Sequence, residues 1–163
     1  MSGDEVPYED RRHVRGVRCY VRDAAYHLRT GTVDRLPLLA HPRCKRMVIE
    51  AVKHATRALE FDLIAYVVMP EHVHLVVRQT GEKTISDLME RVKKRTGRLL
   101  NQHLRRSGRF WRDDFYDHIL RDAEHLDELV RYIHDNPVRR GLVSKADEWE
   151  FSSWRELYGD QAG

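Results

Sequence analysis

Apolar positions along the chain follow two rhythms, and together they predict most of the fold. Over residues 42–60, Met47, Val48, Ala51, Val52, Ala55 and Leu59 recur at spacings of three and four, which makes an amphipathic helix. A second helix is predicted over residues 84–104, with Ile85, Leu88, Met89, Val92, Leu99 and Leu104 on one stripe. Between the two helices, residues 65–78 hold two short apolar runs on either side of Pro70-Glu71, the pattern of two hydrogen-bonded strands. Residues 24–32 read as a first strand and residues 110–120, rich in aromatics, as a fourth. Asp122 is a good N-cap for a third helix, with Glu124 in its first turn and Leu126, Leu129, Val130 and Ile133 on its apolar face. Pro137 is expected to stop that helix, because it disfavours helical geometry at Asn136 and brings no N–H. The order β-α-β-β-α-β-α implies an α+β, ferredoxin-like (RRM-like) antiparallel sheet with two helices on one face.

A chain of 163 residues is one domain by size. Its 41% hydrophobic and 34% charged residues are the mix of a globular protein. No run approaches the roughly 20 apolar residues of a membrane span, and the polar N-terminus lacks the apolar stretch of a signal peptide. Cys19 and Cys44 form no CxxC pair and read as plain residues of a reduced, cytoplasmic protein. Residues 1–23 are rich in Arg without a clear period and are expected to form a basic N-terminal arm ahead of one domain at 24–163.

The net charge is only +3, but its distribution is uneven. Residues 91–112 carry nine Lys/Arg and no acid, a block suited to neutralising phosphates, or to a solvated helix face. Lys93, Lys94, Arg98, Arg105 and Arg106 are the candidate DNA contacts.

The chemistry centres on His72 and His74. Residues i and i+2 of a strand share a face, so both imidazoles project together while Val73, Leu75 and Val77 turn towards a core. Such a pair is half of a metal site, or a plain structural pair. The motif VMPEHVH (68–74) recurs with a second, RYIHDNPVRRGLV (131–143), which carries Tyr132, Asn136, Pro137 and Gly141. Together they resemble the single-tyrosine HUH transposases, and most closely the REP-associated tyrosine transposases. LMERVKKRTGRLLN (88–101) is similar to the linking helix of that family, SGRFWRDDFYDHILRD (107–122) to its next strand and DEWEFSSW (147–154) to its tail. The resemblance covers roughly residues 24–156, in order.

By that resemblance, His72 and His74 hold a divalent ion (Mg2+ or Mn2+) and Tyr132 is the nucleophile. Asn136, one helical turn beyond Tyr132, is a third ligand or a helix C-cap. The resemblance also implies single-stranded DNA with a hairpin as partner, a 5′-phosphotyrosine intermediate, and a monomer or homodimer. Tyr116 is the rival nucleophile but sits in a strand pattern. His27 reads as structural or as a spare ligand, and His134 as solvent-facing, while Trp111, Trp149 and Trp154 read as core or tail-docking residues, or as platforms for an unpaired base. Two rivals share the fold. One is a binding module without catalysis, which would leave the His pair and Tyr132 unused. The other is a catalytically silent, host-retained relative that binds DNA or RNA and regulates.

Overall fold

The computed structural model describes residues 23–120 and 122–159. The expected arm, residues 1–23, lies outside them apart from Asp23. Four antiparallel strands, β1 (Ala25–Gly31), β2 (Phe61–Val68), β3 (His72–Gln79) and β4 (Tyr116–Leu120), form one sheet in the order β2-β3-β1-β4. Helix α1 (Pro42–Ala58) links β1 to β2, and α2 (Ile85–His103) links β3 to β4. This is the expected α+β, ferredoxin-like arrangement. The last strand is shorter than the sequence suggested: of residues 110–115, only Trp111 bridges, to Thr32. The Trp111 indole is buried and donates to Thr96 Oγ1 at 2.9 Å, so this segment serves packing rather than the ladder.

Side-chain alternation gives the sheet two different faces. Tyr26 and Leu28 of β1 join Val73, Leu75 and Val77 of β3 in a core shared with α1 and α2. Helix α2 is held at its start by a capping box between Thr84 and Asp87. On the other face lies α3 (Ala123–Arg139), whose Leu129, Val130 and Ile133 pack on Ala25, Ala65, Val67 and Val76.

Pro137 does not stop α3, which runs through it to Arg139. Three buried aliphatic side chains at roughly 1.5–3 kcal/mol each outweigh the roughly 3 kcal/mol that a proline costs inside a helix. The helix ends instead on Gly141, at φ +70°, with Leu142 N–H donating to Pro137 O and Gly141 N–H to Val138 O, both at 2.9 Å.

The tail closes the β2 edge. Val68 N–H donates to Phe151 O and Ser153 N–H to Tyr66 O, so residues 151–153 cover groups that would otherwise invite another strand. Trp149 docks by donating to Val68 O. Trp154 is only half-buried.

His134 is a second correction. It is 2% exposed, not solvent-facing, and its Nε2 lies 2.8 Å from Ser153 Oγ, tying α3 to the tail. Burial pushes its pKa from 6.5 down to about 4. The folded value lies below the unfolded one, so this contribution is complete above pH 6.5 and is lost as pH falls towards about 4. His134→Gln should therefore flatten the loss of stability with acidification, by up to about 1.4 kcal/mol per pH unit. Urea melts across that range check it, and an unchanged slope would place the acid sensitivity elsewhere.

Candidate active site

The β2–β3 connection is pinned on both sides. Met69 N–H closes on His72 O at 2.8 Å, Leu39 N–H donates to Pro70 O, and Thr32 donates to Glu71 O through both its N–H and its hydroxyl. His72 and His74 therefore leave a rigid corner on the α3 face of the sheet, with ring centroids 4.9 Å apart. Both are buried.

Each ring is oriented by a partner on one nitrogen. Glu71 Oε1 lies 2.9 Å from His72 Nδ1 and also takes Arg140 at 3.0 Å. The neighbouring His72, then Arg140, hold the Glu71 carboxyl below its usual value, so a carboxylate faces His72 Nδ1–H. His27, diagonal to His74 across the β1–β3 ladder, places Nε2 2.9 Å from His74 Nδ1. Burial pushes His27 down to about 3 and His74 well below its usual value, with the nearby charges of Arg29 and Arg139 adding to the effect at His74. Both rings are neutral at pH 7.

Helix α3 brings the third group. Asn136 is 1% exposed, and its Nδ2 lies 3.2 Å from His74 Nε2. It does not cap the helix by its side chain. An Asn136 N–H given to His74 Nε2 fixes that nitrogen as an acceptor, so Nδ1 carries the proton and donates to His27. The tautomer that follows aims the His74 Nε2 lone pair into the site. Two buried atoms beside it, His72 Nε2 and Asn136 Oδ1, have no partner. Turning the amide over would set Oδ1 against His74 Nε2, a pairing that either a proton on that nitrogen or a cation between the two atoms reconciles. The donor set of two neutral imidazoles and an amide oxygen fits a divalent ion, with a carboxylate behind one imidazole as metal sites commonly have.

Tyr132 lies one turn before Asn136 and is half-buried, with the Arg139 guanidinium 3.9 Å from its ring centroid and donating to its backbone carbonyl at 3.0 Å. It lines an open groove of about 500 Å3 together with Glu128, Arg131, Asp135, Arg139, Trp154 and Tyr158. Tyr116 reaches the same sheet face from β4. Its ring packs edge-on against His27 at 5.5 Å, under the Arg29 guanidinium.

The stretch of chain that carries His72, His74, Tyr132 and Asn136 is similar to known proteins. A family model described as transposase IS200 like matches residues 20–136, which take in all four of these residues. The chain belongs to the IS200-like transposase family. It is 28% identical over 110 residues to the REP-associated tyrosine transposase of Escherichia coli K12, covering 67% of this chain and 64% of that one. It thus spans just under two thirds of that relative. A putative REP-associated tyrosine transposase of Haemophilus influenzae is 26% identical over 129 residues, covering 69% and 73%. Among solved structures, a REP-associated tyrosine transposase bound to a REP hairpin superposes with a TM-score of 0.74 at 24% identity, over 88% of this chain and 84% of that one. A putative transposase from Deinococcus radiodurans R1 gives 0.54 at 23% identity, over 76% and 97%. These structures share the fold.

In this IS200-like chain the basic block divides. Lys94, Arg98 and Arg105 are exposed on or just past α2. Lys93 is occupied, its ammonium donating to Arg112 O and Asp114 O at 2.7 Å each. Arg106 is occupied as well, bonding Asn101 Oδ1 and Arg109 O. All five lie on the α1–α2 side, across the sheet from the histidine pair. The cations beside the pair are Arg29, Arg139 and Arg140. Sequence reading missed them because they are scattered over β1 and the end of α3 and form no local block. His27 was missed as an orienting group for the same reason, since only the strand register sets it against His74, whereas Glu71 stands next to His72 in the motif and shows its role only through the geometry of the turn.

Proposed function

We propose that this chain is a metal-dependent single-strand DNA endonuclease and strand transferase that works through a 5′-phosphotyrosine on Tyr132. The observation that carries this is a buried corner where His74 Nε2 meets the Asn136 amide beside the His72 ring, and where two polar atoms, His72 Nε2 and Asn136 Oδ1, lack partners. Those three groups would hold one divalent ion, Mg2+ or Mn2+, and imidazole donors suit manganese better than magnesium. Bound there, the ion supplies polarisation of a phosphate oxygen and a counter-charge for the charge that grows during attack.

The remaining work falls to the chain. Glu71 sets the His72 tautomer and His27 pairs with His74 Nδ1, which leaves both Nε2 atoms for the ion, and the neutral ligand set leaves the cation's charge for the DNA. The Tyr132 hydroxyl attacks phosphorus, the bond from phosphorus to the 3′-oxygen breaks, and that oxygen leaves as a hydroxyl with the proton balance closed by solvent. The 5′ end stays on tyrosine, and this aryl phosphodiester is reactive enough for a later 3′-hydroxyl to reverse the step on a second strand. Arg139 restrains the ring, and Arg29 and Arg140 lie where a bound phosphate needs positive charge. Carrying a hairpin-bearing single strand over to this chain as substrate rests on the family resemblance and on the solved relative.

Incubation with a hairpin single strand and Mn2+, followed by denaturing electrophoresis, should show a protein–DNA adduct. Binding without an adduct for any hairpin or metal would support the silent binding module instead. The exposed cations give a separate expectation. Replacing Lys94 and Arg98 by Ala should reduce the log–log salt slope of affinity by roughly 1.4, at about 0.7 per contacted phosphate on a single strand. An unchanged slope would make this helix face a solvated surface only.

A further inference from the structure

We infer that His41, Cys44 and His103 form a second divalent-metal site, of the zinc class, that ties the start of α1 to the end of α2. His41 is the residue that caps α1, Cys44 lies in its first turn, and His103 is the last residue of α2. Each offers one ligand atom, and these atoms lie within 4.8 Å of one another. The Cys44 thiol is free and fully buried, while both histidines are exposed, with ring centroids 6.3 Å apart. Tetrahedral zinc with bonds of about 2.0–2.3 Å holds its donors roughly 3.5 Å apart, so about an ångström of side-chain movement closes the site. The two exposed rings, each at a helix end, have that freedom.

The donor chemistry separates this site from the one on the other face of the sheet. One thiolate and two imidazoles select zinc or cobalt over magnesium, whereas the trio at His72 has no sulfur. Three protein donors leave a fourth position for water. Two contacts change on binding. The Arg43 N–H now donates to His41 Nδ1 at 3.1 Å, and a neutral ring has only one lone pair, so ligation exchanges this capping bond for the metal. The thiol gives up its proton to become a ligand. The bridge would fix the end of α2 that leads directly into Arg105 and Arg106.

The full chain with His72 and His74 both replaced by Ala removes the first site from the measurement. Titrated with Co2+, it should bind one ion with a thiolate-to-metal charge-transfer band and the strong visible bands of a tetrahedral centre. Adding Cys44→Ser should remove the charge-transfer band. Adding His103→Ala, at an exposed position that leaves the core untouched, should weaken the cobalt affinity by about tenfold or more. Zn2+ should raise the melting temperature of the His72/His74 variant, and His103→Ala should reduce that rise. The inference fails if no thiolate band forms, if the band survives Cys44→Ser and so belongs to Cys19, or if His103→Ala leaves the affinity unchanged.

Discussion

His74→Ala is expected to lower single-strand nicking by on the order of 10²–10³-fold, the scale found when one group that stabilises developing charge is lost, while hairpin affinity changes little. Three features of the site set this expectation. His74 Nε2 lies 3.2 Å from the Asn136 amide nitrogen, its Nδ1 is paired with His27, and the ring is buried. Without it, the remaining His72 Nε2 and Asn136 Oδ1 face an empty space and hold a cation too weakly to keep it on the phosphate. His72→Ala should behave alike, because it deletes the other inward lone pair. His27→Ala should be milder, roughly 10–100-fold, as it removes only the group that orients a ligand. Metal affinity by calorimetry, nicking rates and thermal melts separate loss of the ion from loss of the fold. Unchanged nicking in folded His74→Ala protein would remove metal-assisted cleavage from the account.

Tyr132→Phe is expected to abolish both the nick and the covalent adduct while leaving fold and DNA affinity intact. Phenylalanine keeps the ring under Arg139 and its packing against the α3 face, and deletes only the oxygen. Since that oxygen forms the new bond to phosphorus, no residual path through the intermediate remains. Tyr116→Phe is the matched control. Its ring also approaches the site, through His27 on the opposite edge, but it sits in β4 rather than one turn from Asn136. It should retain both the nick and the adduct. An adduct in Tyr132→Phe that disappears in Tyr116→Phe would exchange the two assignments.

The elements were legible because each carries its period within a short window. The stripe Ile85, Leu88, Met89 and Val92 is the buried face of α2, although Leu100 rather than the expected Leu99 continues it, and the alternation of His72 and His74 with Val73 and Leu75 is the two-faced strand β3. What windows cannot show is what an element meets. Pro137 looked like a stop because a local rule was applied without the packing of Ile133 and its neighbours on the sheet. His134 looked exposed because its partner, Ser153, comes from a tail that folds back onto β2. Lys93 and Arg106 looked free because their carbonyl partners lie in the loops past α2. The candidate site was legible as a set of residues, through motifs in order. Of its orienting groups, His27 and Arg140 needed the register and the third dimension, while Glu71 stands beside His72 in the motif itself.

The most direct test of the central claim is mass spectrometry of the trapped adduct. The full chain is reacted with a hairpin single strand and Mn2+, digested with protease and nuclease, and the modified peptide sequenced. The account predicts a nucleotide joined by a phosphodiester to Tyr132 through the DNA 5′ end, with a free 3′-hydroxyl on the released strand. A nucleotide on any other residue, a 3′ linkage, or a nick that forms with no covalent protein–DNA species would contradict it.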